Sequence, residues 1–324
     1  MEPLSAPDTD AQTGSRLQRL PHSATSETLS KLPHEIVLIV IERAASDEVN
    51  ARPGWVATLC LICQSVRNVA TPILYAFLRI TRLSLSTFVT LSELPDTPLR
   101  HTRSVLFDAM INPAYTHKPS VFHYFYAPLA RALSNIHAYA GSSVVLAALL
   151  HFAPRSFSRL KSVFVSDTLP WTDETDHVKL LVKNISRLQI VWDLLGGQFQ
   201  EVPDLDFSAS APRLEYLIVD ALADLPLRGR NLEILERLVL PPEHPSLRRI
   251  LFRPRCHAQH NVPTIAQAIR EYATNVRDER VWIDDAVVPI RSADGTEYVY
   301  AQNELKDVGA GDDLWLSGSR AWGP

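Results

Sequence analysis

The fold turns on three short stretches: Phe157-Ser-Arg-Leu-Lys-Ser-Val-Phe-Val165, Ile185-Ser-Arg-Leu-Gln-Ile-Val-Trp192 and Ala211-Pro-Arg-Leu-Glu-Tyr-Leu-Ile-Val219. In each, an Arg-Leu pair leads into alternating apolar residues. Alternation sends successive side chains to opposite sides of a strand, so each stretch is expected to supply one strand with one face in a core. The leucine ends the incoming turn and points inward, and the residues up to the next frame return along the outside. Stacked units of this kind make a solenoid with a parallel sheet.

Outward from these frames, similar cores recur at Leu78–Leu83, Ser104–Phe107, Ile136–Tyr139, Leu160–Val165, Leu188–Trp192, Leu214–Val219, Leu235–Leu240, Leu247–Phe252 and Val281–Ile283. Most centres lie roughly 25 to 32 residues apart, the range of the longer leucine-rich repeats. The spacing is uneven and the asparagine of regular repeats is not consistently placed, so the array is degenerate. Helical returns are expected at Val121–Leu133, Val144–Phe152, Glu174–Ile185 and Thr264–Val276. Asp294-Gly295, between Val287–Arg291 and Glu297–Tyr300, is a hairpin signal that caps the last repeat. From Val308 the tail reads as loosely ordered apart from Leu314, Trp315 and Leu316.

Upstream the composition changes. The first 28 residues, rich in Ser, Thr, Pro, Asp and Gln, show no hydrophobic period and read as a disordered leader. Residues 29–76 read as three short helices. Pro33 opens the first, where its missing N–H costs nothing, with Ser30 or the preceding turn as cap. Ile36, Ile39 and Val40 follow at helical spacing, and Asp47–Gly54 is a loop signal. A second helix from Trp55 carries Leu59, Ile62, Cys63 and Val66 on one face, and a third, from about Val69, carries Pro72, Leu74 and Tyr75. The expected fold is mixed α/β: a leader (1–28), a small all-helical module (29–76), degenerate leucine-rich repeats of parallel strands with helical returns (77–286), and a hairpin cap with tail (287–324).

Composition bounds the chemistry. With 324 residues, 46% hydrophobic and 21% charged, the chain is composed like an ordinary soluble globular protein. Its mean hydropathy of -0.02 agrees with that. A net charge of -4 and an isoelectric point near 6.3 argue against an obligate nucleic-acid binder, which usually carries a basic stripe. Three cysteines make no disulfide framework, and no secretory apolar run follows Met1, so a cytoplasmic or nuclear location is expected. No apolar stretch approaches the ~18 residues of a membrane span. Glycine is scarce at 11 and proline plentiful at 23, which disfavours phosphate-cradling loops. The catalytic motifs sought, including Gly-x-Ser-x-Gly, His-Glu-x-x-His and Walker loops, are absent, so no catalytic residue, cofactor or metal is expected.

Three clusters invite sharper readings. Cys60 and Cys63 form a C-x-x-C in an apolar run and are expected to be buried packing. Cys256, His257 and His260 lack a fourth ligand and are expected to lie in a surface loop. Arg228, Arg230, Arg237, Arg248, Arg249, Arg253 and Arg255 make the last repeats basic. A solvated face is the default for them; the functional alternative is an acidic or phosphorylated target segment held by guanidinium forks, with Arg248, Arg249, Arg253 and Arg255 the candidates. The aromatic run Tyr115, Phe122, Tyr124, Phe125 and Tyr126 reads as the core of a helical return.

Residues Leu32 to Tyr75 resemble an F-box: Leu32-Pro33-His34-Glu35-Ile36 opening helix one, Leu59-Cys-Leu-Ile-Cys-Gln-Ser-Val-Arg67 as helix two, and Ala70-Thr-Pro-Ile-Leu-Tyr75 closing the module. Gln64 and Val66 stand where the family usually has a basic residue and an aromatic. The whole chain resembles the F-box proteins with leucine-rich repeats of mushroom-forming fungi. The resemblance implies a module that docks on the Skp adaptor, and through it on a cullin, while the repeats hold a target protein for ubiquitination. It further implies that Leu32, Pro33, Ile36, Ile39 and Val40, with Leu59, Ile62, Cys63, Val66, Pro72, Leu74 and Tyr75, form the Skp-facing surface or pack the module. The alternative is a non-catalytic repeat scaffold whose F-box has drifted.

Overall fold

The alternating cores form one ladder in the computed structural model, which describes residues 32–108, 119–153, 157–168, 183–193, 211–222, 246–255, 262–286 and 312–323. Two compact units divide the chain, Met1–Ala70 and Thr71–Pro324.

In the first unit α1 (His34–Glu48) and α2 (Pro53–Leu59) are followed by α3 (Gln64–Leu74), inside which the division falls. Pro33 is the N-cap residue of α1, one place before the expected helical position, and Glu35 lies in the first turn, where a carboxylate suits the helix dipole. Expected cap Ser30 lies outside the described residues. The second helix departs from expectation: the run from Trp55 to Val66 is broken by a turn at Cys60–Ile62, and the helix that follows takes up both Val66 and the expected third helix. Apolar residues at i, i+3, i+4 and i+7 are compatible with one helix, but they are equally compatible with two helices packed across a turn. An Arg52–Glu48 ion pair with N–O 2.7 Å ties the α1–α2 turn, and the Arg52 guanidinium holds the Glu48 carboxyl below its ordinary range.

The second unit is a nine-stranded sheet in simple chain order: β1 (Phe77–Ile80), β2 (Ser104–Phe107), β3 (Ala138–Gly141), β4 (Ser162–Thr168), β5 (Arg187–Asp193), β6 (Tyr216–Leu222), β7 (Arg249–Arg255), β8 (Val281–Ile283) and β9 (Ser319–Arg320). The first eight are parallel and β9 returns antiparallel on β8. Leu78, Val105, Tyr139, Val163, Leu188, Leu217, Ile250 and Val281 stand in one register column, so the repeat is 24 to 34 residues long. β6 pairs directly with β7 over seven residues, Tyr216–Leu222 against Arg249–Arg255. The expected core Leu235–Leu240 lies outside the described residues, as do residues 174–182 of the expected return Glu174–Ile185 and the hairpin around Asp294-Gly295.

Two features stack the repeats. The main-chain carbonyls of Ala76, Arg103, His137, Lys161, Ser186 and Glu215 each accept two successive N–H groups from the start of the next strand. Two residues before the strands β3 to β7, Ile136, Leu160, Ile185, Leu214 and Leu247 are buried. This column corrects the alignment of the three Arg-Leu frames: Leu160 and Leu214 are turn residues, whereas Leu188 is on the strand and Ile185 is their counterpart.

Helices α4 (Leu85–Ser92), α5 (Pro119–Ala132), α6 (Ser143–Phe152) and α7 (Val262–Val276) pack on one face of this sheet. Val105, Tyr139, Val163, Leu188, Leu217 and Ile250 meet Leu129, Leu133, Leu149, Ile265 and Ile269 in the main core. At β3 the column holds Gly141 with φ +143°, and a Cβ there would lie 2.9 Å from the Cβ of Phe107. The space is already taken by Phe107 and by Tyr139, whose hydroxyl donates to the Ser142 carbonyl at 2.7 Å. Ser142 also caps α6, its Oγ accepting from the Val144 N–H. Phe125 and Tyr126 pack in or against the core as expected; the other aromatics of that run have no described side chain. Burial pushes the Tyr126 phenol up to about 12.

Candidate functional site

Among the described residues of the first unit, few are buried. Its buried apolar residues are Ala45, Val56, Leu59, Val66 and Ala70, whereas Leu32, Ile36, Ile39, Val40, Trp55, Leu61 and Ile62 are exposed. Ile36, Ile39 and Val40 recur at helical spacing along the start of α1, so they form one apolar stripe, with Leu32 exposed just before the helix; Ile39 is 59% exposed and Val40 57%. In the turn after α2, Leu61 is 83% exposed and Ile62 64%. Single exposed apolar residues are ordinary; several together along one helix are less so.

The residues implied by the resemblance therefore fall into three sets. Leu32, Pro33, Ile36, Ile39, Val40, Ile62 and Cys63 are exposed, while Leu59 and Val66 are buried within the module. Pro72, Leu74 and Tyr75 are half-buried and belong to the second unit, where Tyr75 packs against the main core. The expectation that both cysteines are buried in a helix is corrected: Cys60 is half-buried and Cys63 exposed, because the chain turns there. Val66 in the aromatic's place is an interior residue and not part of the exposed stripe.

The opposite face of the sheet, free of the four long helices, is the second surface. Leu106, Ala140, Phe164, Ile218 and Leu251 lie on it as a smaller apolar cluster. Beside them runs a polar row on adjacent strands. Arg253 donates to both oxygens of Asp220, at 2.6 and 2.8 Å, and Gln189 donates to Asp220 at 2.6 Å. Arg249 lies over the Trp282 ring at 3.6 Å and donates to the Ser317 carbonyl. Burial pulls the Arg249 guanidinium below its ordinary range.

These contacts correct the expectation for the basic cluster. Arg249 and Arg253 are buried, at 7% and 3% exposure, and their forks are engaged within the chain, so neither belongs to a solvated face. Each sits on a strand position whose side chain points away from the main core, and the cheapest way to bury a guanidinium there is to pair it with a carboxylate or an aromatic ring. Arg248, by contrast, is exposed and 3.7 Å from Glu215. The side chain of Arg255, and Arg228, Arg230, Arg237, Cys256, His257 and His260, lie outside what is described.

Sequence reasoning missed the covering of this face. The C-terminal segment forms α8 (Asp312–Trp315) and then β9, and Leu314 and Trp315 are buried in the smaller cluster. Trp315 stacks with Phe164 of β4 at 5.3 Å and with Tyr216 of β6 at 6.2 Å, and Arg187 of β5 lies 5.6 Å from its ring centre. The one legible signal was the apolar triplet Leu314-Trp315-Leu316 in a polar tail; Leu316 itself is exposed.

Among the described residues no group of three His, Cys, Asp or Glu side chains is placed to hold a metal ion, and no helix is long and apolar enough to cross a membrane. Comparison with protein-family models, with curated proteins and with solved structures finds no match to this chain.

Proposed function

We propose that this chain is the substrate-receptor subunit of a Skp–cullin–F-box ubiquitin ligase, binding Skp through its helical module and a target protein through its repeats. The observation that carries the reading is the exposed apolar stripe of α1 together with Leu61 and Ile62. An interface built on these residues would bury surface that a lone module leaves in water, at roughly 25 cal/mol per Å² of apolar area. The F-box resemblance of residues 32–75 supplies the partner's identity. The repeat sheet supports the second half of the reading, since stacked repeats present a long continuous face to a ligand. The mechanism is proximity: a bound target lysine is held at high effective concentration near a charged conjugating enzyme, with no bond chemistry by this chain.

Co-purification with Skp tests it. The variant Ile36→Asp plus Ile39→Asp places two charges on exposed positions and leaves the module's interior untouched, unlike any change at buried Leu59. Retention of Skp by the wild-type chain and its loss in the variant is the expected result. Failure of the folded wild-type chain to retain Skp would leave the repeat-scaffold reading in its place.

A further inference from the structure

We infer that the turn edge of the repeat sheet, at the N-terminal ends of β2 to β6, is a target-binding surface, and that it takes a short acidic protein segment laid across the strands over Arg103, Arg159, Lys161, Lys183 and Arg213. The inference rests on the reading of the repeats as a target receptor and names what they receive. It uses a different set of residues from the arginine candidates read in the sequence.

The strands are parallel, so their first residues lie along one edge of the sheet. Arg103, His137, Lys161, Ser186 and Glu215 each stand one place before the register row Ser104, Ala138, Ser162, Arg187 and Tyr216, and each carbonyl accepts two N–H groups of the next strand. Two places further back come Asn135, Arg159, Asn184 and Arg213, with Lys183 next to Asn184. Side-chain bonds stitch neighbouring turns: Asn135 donates to the Arg100 carbonyl at 3.2 Å, Arg159 to Asn135 at 3.4 Å and Lys161 to the Asn184 carbonyl at 3.4 Å. The residues that carry the charge thus sit on a fixed frame, ~4.8 Å from one strand to the next and about 19 Å from β2 to β6.

The five cations are all exposed, and among the described residues none of them makes an ion pair. The ion pairs beside the strip flank it, Arg100 with Asp96 at 3.1 Å and Arg248 with Glu215 at 3.7 Å. Like charges gathered along a strip repel one another, and a bound anion relieves that repulsion. The size of the anion follows from the rest of the chain. At a net charge of -4 the whole molecule repels a long polyanion or an anionic bilayer that reaches beyond the strip, whereas a short segment touches the strip alone. Among their described residues these turns hold no exposed Phe, Tyr, Trp, Leu or Ile, so nothing there stacks on bases or enters a bilayer. Carboxylates suit the site, since arginine forks take them with two parallel N–H bonds, and an extended segment of six residues spans about 20 Å, the length of the strip.

Dye-labelled hexaglutamate, titrated against the full chain by fluorescence anisotropy, tests this. Saturable binding that weakens at least tenfold between about 20 and about 200 mM salt is expected. The variant Arg159→Ala, Lys161→Ala plus Arg213→Ala, with its fold checked by circular dichroism and a cooperative melt, is expected to bind at least tenfold more weakly than wild type. Arg43→Ala, Arg67→Ala plus Arg82→Ala removes as much charge from exposed positions away from the strip and is expected to bind like wild type. No binding by the folded wild-type chain, or equal affinity of the two triple variants, overturns the inference. Tighter binding of a six-nucleotide oligothymidylate or of phosphatidylserine vesicles than of hexaglutamate overturns it as well. A second measurement needs only the wild-type chain: bound hexaglutamate is expected to slow acetylation of Lys161 and Lys183 at least threefold, and unchanged rates overturn the inference. Skp capture is scored separately, so hexaglutamate failure with Skp binding intact removes only this inference.

Discussion

At the scale of residues, the repeat's turn column shows what the fold asks for. Ile136, Leu160, Ile185, Leu214 and Leu247 fill it, but before β2 the place is taken by Thr102, fully buried and with no partner for its hydroxyl. A buried hydroxyl without a hydrogen bond costs about 1–3 kcal/mol. Thr102→Val, of nearly the same shape, is therefore expected to stabilise the protein by about 1 kcal/mol, read as a raised midpoint in thermal or urea unfolding. An unchanged or lowered midpoint would mean that the hydroxyl is satisfied. Gly141 shows the converse, a small residue demanded by Phe107 and Tyr139 closing over it. Neither requirement is written in the local sequence, because both depend on the neighbouring repeat.

At the scale of elements, the ion pairs range from exposed ones within a helix, such as Arg43–Asp47, to one held between packed strands. The Asp220–Arg253 pair joins neighbouring strands with 3% of the arginine side chain exposed and 10% of the aspartate. Removing one partner of a buried ion pair costs about 3–5 kcal/mol, the loss expected of Asp220→Ala. Replacing both partners, as Asp220→Leu with Arg253→Met, is expected to recover most of that in urea denaturation. A double variant as unstable as the single one would show that the pair itself, and not the arginine left without Asp220, carries the energy.

The turn before β8 titrates. Burial pushes the Asp278 carboxyl up, but the Arg280 hydrogen bonds and charge together outweigh it and hold the group below its ordinary range. Its contribution is present above the unfolded value near 3.8 and is lost as pH falls through the lower folded value. The stability difference between wild type and Asp278→Asn is thus expected to be constant from pH 7 to 5 and to shrink only below about 4. A difference that shrinks between pH 7 and 5 would contradict the depressed carboxyl.

Elements were legible to different depths. β2 and β8 begin and end where their alternating residues do, since polar residues flank them. The expected cores at β3, β4, β6 and β7 begin two residues early, because the buried turn residue before each strand is as apolar as the strand. Helix α4 was missed: Leu85-Ser-Thr-Phe-Val-Thr-Leu-Ser92 is rich in β-branched and alternating residues, and it is helical because Val89 packs on the core of the sheet.

At the scale of the whole molecule, a mixed α/β chain with a parallel sheet was readable from the recurrence of apolar cores alone, since each repeat needs its neighbour to bury its strand. The covered face was not readable, because Trp315 meets Phe164 across more than half the length of the unit's sequence. The exposed stripe of α1 was legible as periodicity, though which of its residues face outward had to come from the structure. The central claim is that this stripe is a docking surface for Skp. Calorimetric titration of the Skp adaptor into the full-length chain tests it most directly. A saturable one-to-one complex with a negative heat-capacity change, weakened at least a hundredfold by Ile36→Asp plus Ile39→Asp, is the predicted result. No binding by the folded wild-type chain, or equal binding by the variant, would contradict it.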